Sequence, residues 1–365
     1  MSFSTRIAYP LVASTAACAL AAATAIGLSP GTPRPVLDEN GRAIPGSIAE
    51  KTFIEIDGTR QGIFIKSRSA DLPVLLYLHG GIPDYFLTAR YPTRLEDLFT
   101  VVWWEQRGAG LSAAAADPSK PVTLDQLIAD AIELTEYLRR RFGQERIYLM
   151  GHSGGTFVGM HLVQRAPELF HAYIAVAQIT DQLESEQQAC EYMLGRFREA
   201  GDRKWVERLE AVSVAHGTPG EYLRIRDAAM HRLGIGTMHD MRSIVSGLFI
   251  PSLLFREYTV REKWNLWAAK ARFGVSAIWD EAISTDLRET VPEVRVPVHF
   301  LHGVHDYTCS YSLARAYAAE LRAPVKGFYT FRGSAHSPIF EEPERVREIL
   351  HQDVLRGTSS LADTP

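Results

Sequence analysis

Apolar and polar positions along this chain follow two periods, and the switches between them mark out its elements. "KTFIEIDG" (51–58) and "QGIFIKS" (61–67) alternate apolar and polar residues on either side of Asp57-Gly58, which predicts a β-hairpin. "LPVLLYLHGG" (72–81) and "TVVWWEQRGAGLS" (100–112) are continuous apolar runs ending in glycines, as expected of strands buried on both faces. "TLDQLIADAIELTEYLRRRFG" (123–143) has helical spacing, with Leu127, Ile128, Ala131, Ile132 and Leu138 on one face. Thr123 and Gln126 suit a capping box, Gly143 a C-terminal cap, and the arginines at 139–141 complement the helix dipole. The strand "RIYLM", a glycine–serine bend, the helix "GTFVGMHLVQRAPELF" and the strand "AYIAVAQ" come next. Such alternation predicts a parallel sheet covered by helices on both faces.

The rhythm stops over residues 178–290, which are charged, helical in pattern and without a convincing buried strand. It returns with "VPVHFLHGVHD", "YSLARAYAAEL", "GFYTFRG" and "PERVREILHQDVL". The expected organisation is a core of 50–177 and 291–355, a helical cap of 178–290 and a C-terminal tail of 356–365. Before the core, the run from Ile7 to Leu28 holds no charge and follows Arg6, and a Pro/Gly-rich linker over 31–49 separates it from the first strand. Residues 1–30 therefore read as a signal peptide or N-terminal membrane anchor, with the body exported, either secreted or held on the extracytoplasmic side.

Composition narrows the function. The 365 residues are 46% hydrophobic and 22% charged with a net charge of -4, which is ordinary for a globular protein and gives nucleic acid no basic face. Three cysteines, Cys18, Cys190 and Cys309, are too few and too scattered for a disulfide framework or a zinc site, and within the body only Cys190 and Cys309 could pair.

The bend itself carries candidate chemistry. Gly151-His152-Ser153-Gly154-Gly155 is G-x-S-x-G between a strand and a helix, a turn that presents a serine hydroxyl at its tip. A serine needs a base and an acid to orient that base. Asp306 and His336 follow late strands, in the chain order Ser153, Asp306, His336 expected for this architecture. An oxyanion hole would use the N–H of Gly154 and one from the loop after "LLYLHGG", at Gly81 or its neighbours Gly80 and Ile82. His152, beside the nucleophile on a tight bend, points away from it and reads as packing. His302 and His305 need no metal, because the acid role accounts for Asp306.

"LHGG", "WWEQRGAGLS", "GHSGG", "HGVHD" and "SAH" together resemble the α/β-hydrolase superfamily, over roughly residues 50–180 and 290–355. More narrowly they are similar to its proline iminopeptidase-like branch of serine peptidases. The resemblance implies an α/β-hydrolase fold with an inserted helical cap. It also implies cleavage of an ester or amide through an acyl-enzyme, as an aminopeptidase, on a small-molecule or short peptide substrate and without cofactor or metal. In that branch cap carboxylates bind the substrate's free amine, a role that falls on Glu184 and Glu186 of "DQLESEQQACEYM". Two motifs depart from the branch. "HGGIPDYF" lacks the Pro-Gly after its paired glycines, and "EQRGAGLS" has Glu105 in place of aspartate, where Glu105 and Arg107 read as an ion pair or loop anchor. A carboxylesterase or lactonase of the same fold remains an alternative, as does a hydrolase-like protein that binds a ligand under its cap without processing it.

Overall fold

The computed structural model describes residues 27–117 and 119–363. Eight strands form one sheet in the order β1-β2-β4-β3-β5-β6-β7-β8. The predicted hairpin is β1 (Ile48–Ile56) and β2 (Thr59–Ser67), antiparallel and joined through Asp57 and Gly58 at φ 45° and 64°. Two successive positive φ values make a turn whose twist matches that of the strands, which is why Asp-Gly occupies it. β2 pairs antiparallel with β4 (Thr100–Glu105). From β4 onward, β3 (Val74–Leu78), β5 (Ile147–His152), β6 (Phe170–Val176), β7 (Val298–Gly303) and β8 (Lys326–Phe331) run parallel. All residues of β3, β4, β5 and β7 are buried, as their unbroken apolar runs require.

Helix α1 (Leu124–Phe142) packs its apolar stripe on the sheet and ends at Gly143 with φ 64°. Its N-terminal cap is half a capping box. Thr123 accepts from the Gln126 N–H at 3.2 Å, but the Gln126 side chain turns to Asp57 and Asp130 at 3.1 Å each. Helix α2 (Gly154–Arg165) follows β5. Between β6 and β7 the chain is helical: α3 (Gln182–Glu199), α4 (Arg203–Glu210), α5 (Gly220–Leu233), α6 (Ile250–Leu254), α7 (Val260–Phe273), α8 (Trp279–Ile283) and α9 (Leu287–Thr290). The two ends of this insertion meet at the Asp181–Asp286 bridge, where the Leu287 N–H donates to the Thr180 carbonyl at 3.0 Å. α10 (Tyr311–Glu320), α11 (Pro338–Glu341) and α12 (Pro343–Gln352) complete the fold.

The segments flanking the core are held to it. In the segment expected as a linker, Arg34 pairs with the buried carboxylate of Glu257 at 3.0 Å, and Leu37 bridges Ala43. Charges 223 residues apart make that contact, so no local pattern announces it. The C-terminal segment lies along β8, with the Asp363 N–H on the Phe328 carbonyl at 2.8 Å and the Ser360 and Leu361 N–H groups on Asp353 at 2.7 and 2.8 Å. Among the described residues no helix is long and apolar enough to cross a membrane. The uncharged N-terminal run lies, except for its last two residues, outside the described residues.

Candidate active site

Chain direction across the sheet reverses between β3 and β5, so the loops leaving their C-terminal ends diverge and open a crevice there. Ser153 stands at the tip of the β5–α2 turn with φ 55° and ψ -124°, a conformation that costs a residue with a Cβ ~1–3 kcal/mol. The flanking glycines make the turn possible. A Cβ on Gly155 would lie 2.1 Å from the Leu78 carbonyl oxygen, and one on Gly151 would lie 2.6 Å from that of Gly155.

Asp306 and His336 meet at the ends of β7 and β8. His336 Nδ1 donates to Asp306 Oδ2 at 2.9 Å, and the Thr308 and Cys309 N–H groups donate to Oδ1 at 2.8 and 3.0 Å. His302 Nε2 lies 3.1 Å from Oδ2 and bonds the Cys309 carbonyl at 2.9 Å. Burial alone would raise the pKa of Asp306, but His336 and His302 hold it well below the carboxylate range. Burial lowers the pKa of His336, more than Asp306 restores it, so the ring is neutral near pH 7. With its proton on Nδ1, Nε2 is left as an acceptor. Ser153 and His336 line the same cavity. Among the described residues no hydrogen bond joins Oγ to Nε2; such bonds commonly tighten only when substrate is bound.

The oxyanion candidates also converge. Gly154 opens α2, so its N–H has no intrahelical acceptor, and a Cβ on it would sit 3.9 Å from the Gly81 nitrogen. The Gly81 N–H has no partner among the described residues. A side chain at 81 would meet the Val275 carbonyl oxygen at 2.2 Å, which explains glycine there. Lys270, from α7, fixes this loop by donating to the Gly81 and Val275 carbonyls at 3.1 Å each.

His152 does more than pack. It turns away from Ser153, as expected, but Nδ1 faces Asp84 Oδ2 at 2.9 Å and Nε2 faces the His336 carbonyl at 2.9 Å. Both partners are acceptors, an arrangement that favours a proton on each nitrogen. Burial opposes that charge, yet Asp84 and the carbonyl outweigh it and raise the pKa of His152. Asp84 comes from the very loop whose "IPD" departs from the branch pattern. The pair therefore ties oxyanion loop, elbow and histidine loop together.

The insertion roofs a cavity of about 150 Å³ over Ser153, with Arg226, Asp227, Met230, Leu248, Trp267 and Lys270 in its wall. Neither Glu184 nor Glu186 reaches it. Glu186 is fully buried, bound by Arg226 at 2.5 and 2.6 Å, Tyr222 at 2.9 Å and Gln182 at 2.8 Å. Glu184 pairs with Arg288 at 3.1 Å. Two carboxylates line the cavity: Asp84, which is taken by Tyr77 at 2.7 Å and His152 at 2.9 Å, and Asp227, held by Arg226 at 2.7 Å with 47% of its side-chain surface open. Burial would raise its pKa, but Arg226 and Lys270 keep it lowered and ionised. Nothing in "RIRDAAM" distinguishes Asp227 from a solvated helix residue, so the sequence held no signal for it.

Several contacts bind α3 to the acid loop, among them Gln182 Nε2 to the Thr308 carbonyl at 2.9 Å, the Ser310 N–H to Ser185 Oγ at 2.6 Å and the Ser310 hydroxyl to Gln188 Oε1 at 2.6 Å. Glu105 and Arg107 do not pair with each other. Arg107 holds Asp130 through two bonds of 2.7 Å, while Glu105 anchors the next turn through the Leu111 N–H at 2.5 Å and Tyr258. Burial pushes the Glu105 carboxyl up to about 8. Cys190 and Cys309 are free and buried. Among the described residues no cluster of three or more His, Cys, Asp or Glu is placed to hold a metal.

Comparison with known proteins agrees with this architecture. The sequence profile of the alpha/beta hydrolase fold matches residues 73–343. The probable aminopeptidase YbaC of Bacillus subtilis is 32% identical over 311 residues, covering 83% of this chain and 96% of that protein. Among solved structures, a proline iminopeptidase-related protein from Thermus thermophilus superposes with a TM-score of 0.53 at 20% identity, covering 83% of this chain and 98% of its own. The proline iminopeptidase of Mycobacterium smegmatis does so with a TM-score of 0.57 at 16% identity, covering 84% and 98%. Strand order, strained elbow and profile point the same way: the chain belongs to the α/β-hydrolase family.

Proposed function

We propose that the chain is a serine aminopeptidase that removes the first residue of short peptides through an acyl-enzyme on Ser153. The observation that carries the reading is one roofed cavity holding both a strained serine beside an aspartate-held, neutral histidine and an ionised carboxylate, Asp227. The Ser153 hydroxyl attacks the scissile carbonyl while His336 Nε2 takes its proton, and the Gly81 and Gly154 N–H groups receive the oxyanion. His336 then protonates the leaving amine, and a water activated by the same ring releases the acyl group. Asp227 accepts the substrate's α-ammonium, the role expected of Glu184 and Glu186 from the family resemblance. The name of the Bacillus subtilis relative supports this reading.

The test is a panel of aminoacyl-arylamides with free and acetylated amines, set beside short acyl esters and lactones, on unlabelled protein, with a separate sample labelled by a serine-directed fluorophosphonate. Labelling should vanish in Ser153→Ala. Free-amine substrates should be preferred, and Asp227→Asn should cut their kcat/KM by ~10–100-fold, the value of one charge-assisted hydrogen bond, while leaving ester turnover intact. Equal turnover of blocked and free amines would assign the site to esters instead. Failure to label would leave a binding protein.

A further inference from the structure

The insertion carries an apolar face that no described residue covers. Val245, Phe249, Ile250, Leu253 and Leu254 stand exposed on α6 and the turn leading into it, and Leu254 is 63% bare. Val260 and Trp264, one turn apart on α7, continue the face, with Trp264 74% bare. The two rows are joined: the Phe249 and Trp267 rings meet at 5.0 Å, and Lys263 Nζ bonds the Leu253 carbonyl at 2.5 Å. Seven exposed large apolar side chains within twenty residues form a patch, whereas single ones scattered over a surface need no explanation.

The rim of this patch is cationic. Arg242, Arg256 and Arg261 are exposed, and Arg90 reaches the Ser246 carbonyl at 3.2 Å. From Met241 to Trp264 no acidic side chain is exposed, because Glu257 is taken by Arg34 and Lys66, and Glu262 by Lys51. The N-terminal chain arrives at the same place. Ser29 Oγ accepts from Lys263 at 2.7 Å, and the Gly31 N–H donates to the Arg256 carbonyl at 3.1 Å. The uncharged run from Ile7 to Leu28 therefore joins the body beside the patch.

We infer that this face docks on an anionic lipid bilayer. The apolar side chains enter the acyl boundary and the arginines meet headgroup phosphates. Charge distinguishes this occupant from a second copy of the chain. The exposed acid nearest Arg242 along the chain is Asp240, so a two-fold contact through the patch would still set Arg256 and Arg261 against arginines. Ile244, Leu248 and Trp267 line the cavity on the inner side of the same segments, so the docking face is the outer surface of the cavity wall.

The full-length chain is mixed with phosphatidylcholine vesicles with and without phosphatidylglycerol, their acyl chains brominated. The difference in emission between wild type and Trp264→Phe isolates Trp264, which lies outside the cavity. Lipid docking predicts that this difference emission is lost to bromine quenching on the anionic vesicles. Arg256→Gln with Arg261→Gln should abolish that quenching, while hydrolysis of a soluble ester stays at the wild-type rate in every variant. Bound protein whose Trp264 emission survives would overturn the inference. So would a lipid-free chain in which aqueous acrylamide cannot reach Trp264, since its own N-terminal segment would then fill the patch. A dimer in lipid-free sedimentation that Leu254→Asp dissociates would assign the face to a second copy.

Discussion

Asp306→Asn turns the hydrogen-bond geometry into a rate. Oδ1 receives two backbone N–H groups, from Thr308 at 2.8 Å and Cys309 at 3.0 Å. Those donors fix the amide oxygen of asparagine in the Oδ1 place, so its NH₂ must take the Oδ2 place, 2.9 Å from His336 Nδ1. An NH₂ there demands a lone pair on Nδ1, which moves the ring proton to Nε2, and Nε2 can then no longer accept the proton of Ser153. His302 reinforces the penalty. Its Nε2 already donates to the Cys309 carbonyl and sits 3.1 Å from the same oxygen, so it cannot accept from the new NH₂. Holding the base in the wrong tautomer costs ~10⁴ in kcat. At 1.36 kcal/mol per decade that is about 5–6 kcal/mol of transition-state stabilisation. KM should change little, because Asp306 lies behind His336 and outside the cavity wall. The assay is steady-state hydrolysis of an activated ester, paired with thermal melting to confirm folding. A folded variant that keeps a tenth or more of wild-type kcat would refute the tautomer argument.

Titration, stability and backbone packing give three more outcomes. Because burial holds His336 below its ordinary 6.5, kcat/KM should fall on the acid side with a midpoint under that value; an acid limb centred above 7 would contradict this base. Glu105 has its folded pKa raised from 4.5 to about 8, so the folded state keeps a proton that the unfolded state releases, and stability falls as pH rises between those values. Glu105→Gln, neutral throughout, should lose about 2 kcal/mol less than wild type between pH 6 and 8 in urea unfolding, and parallel curves would remove Glu105 from the account. Gly155→Ala drives a Cβ to 2.1 Å from the Leu78 carbonyl oxygen and should destabilise by about 3 kcal/mol or more while abolishing fluorophosphonate labelling; an unshifted melt with full labelling would show the elbow to be slack.

The sheet was legible because its signals are local. Unbroken apolar runs such as Val74–Leu78 and the Asp57-Gly58 turn declare their strands without reference to anything distant. The placing of Ser153, Asp306 and His336 just beyond strand ends was legible for another reason: each follows an apolar run, so chain order substitutes for coordinates. What stayed hidden depends on partners far along the chain. Glu186 looks like a solvated helix residue until Arg226, forty residues on, closes over it. Asp227 differs from Glu184 only by the direction in which α5 turns it. Asp84 carries no local signal, because its partner His152 stands 68 residues later and meets it at 2.9 Å. Of the two readings for Glu105 and Arg107, the loop anchor holds and the mutual ion pair does not, because neighbours at the end of a strand diverge and each finds a buried partner elsewhere.

The clasp between α3 and the acid loop has a consequence for how substrate gets in. Gln182 and Ser185 grip Thr308 and Ser310, two and four residues beyond Asp306. Swinging α3 outward would drag the aspartate off its histidine and disarm the machinery at the moment of loading. Traffic through that flank is therefore incompatible with readiness. Among the described residues α6 bears no such link to Asp306, whereas α7 holds the Gly81 loop through Lys270, so breathing of α6 can admit a molecule while acid, base and oxyanion loop stay assembled. Entry and competence are in this way assigned to different sides of one roof.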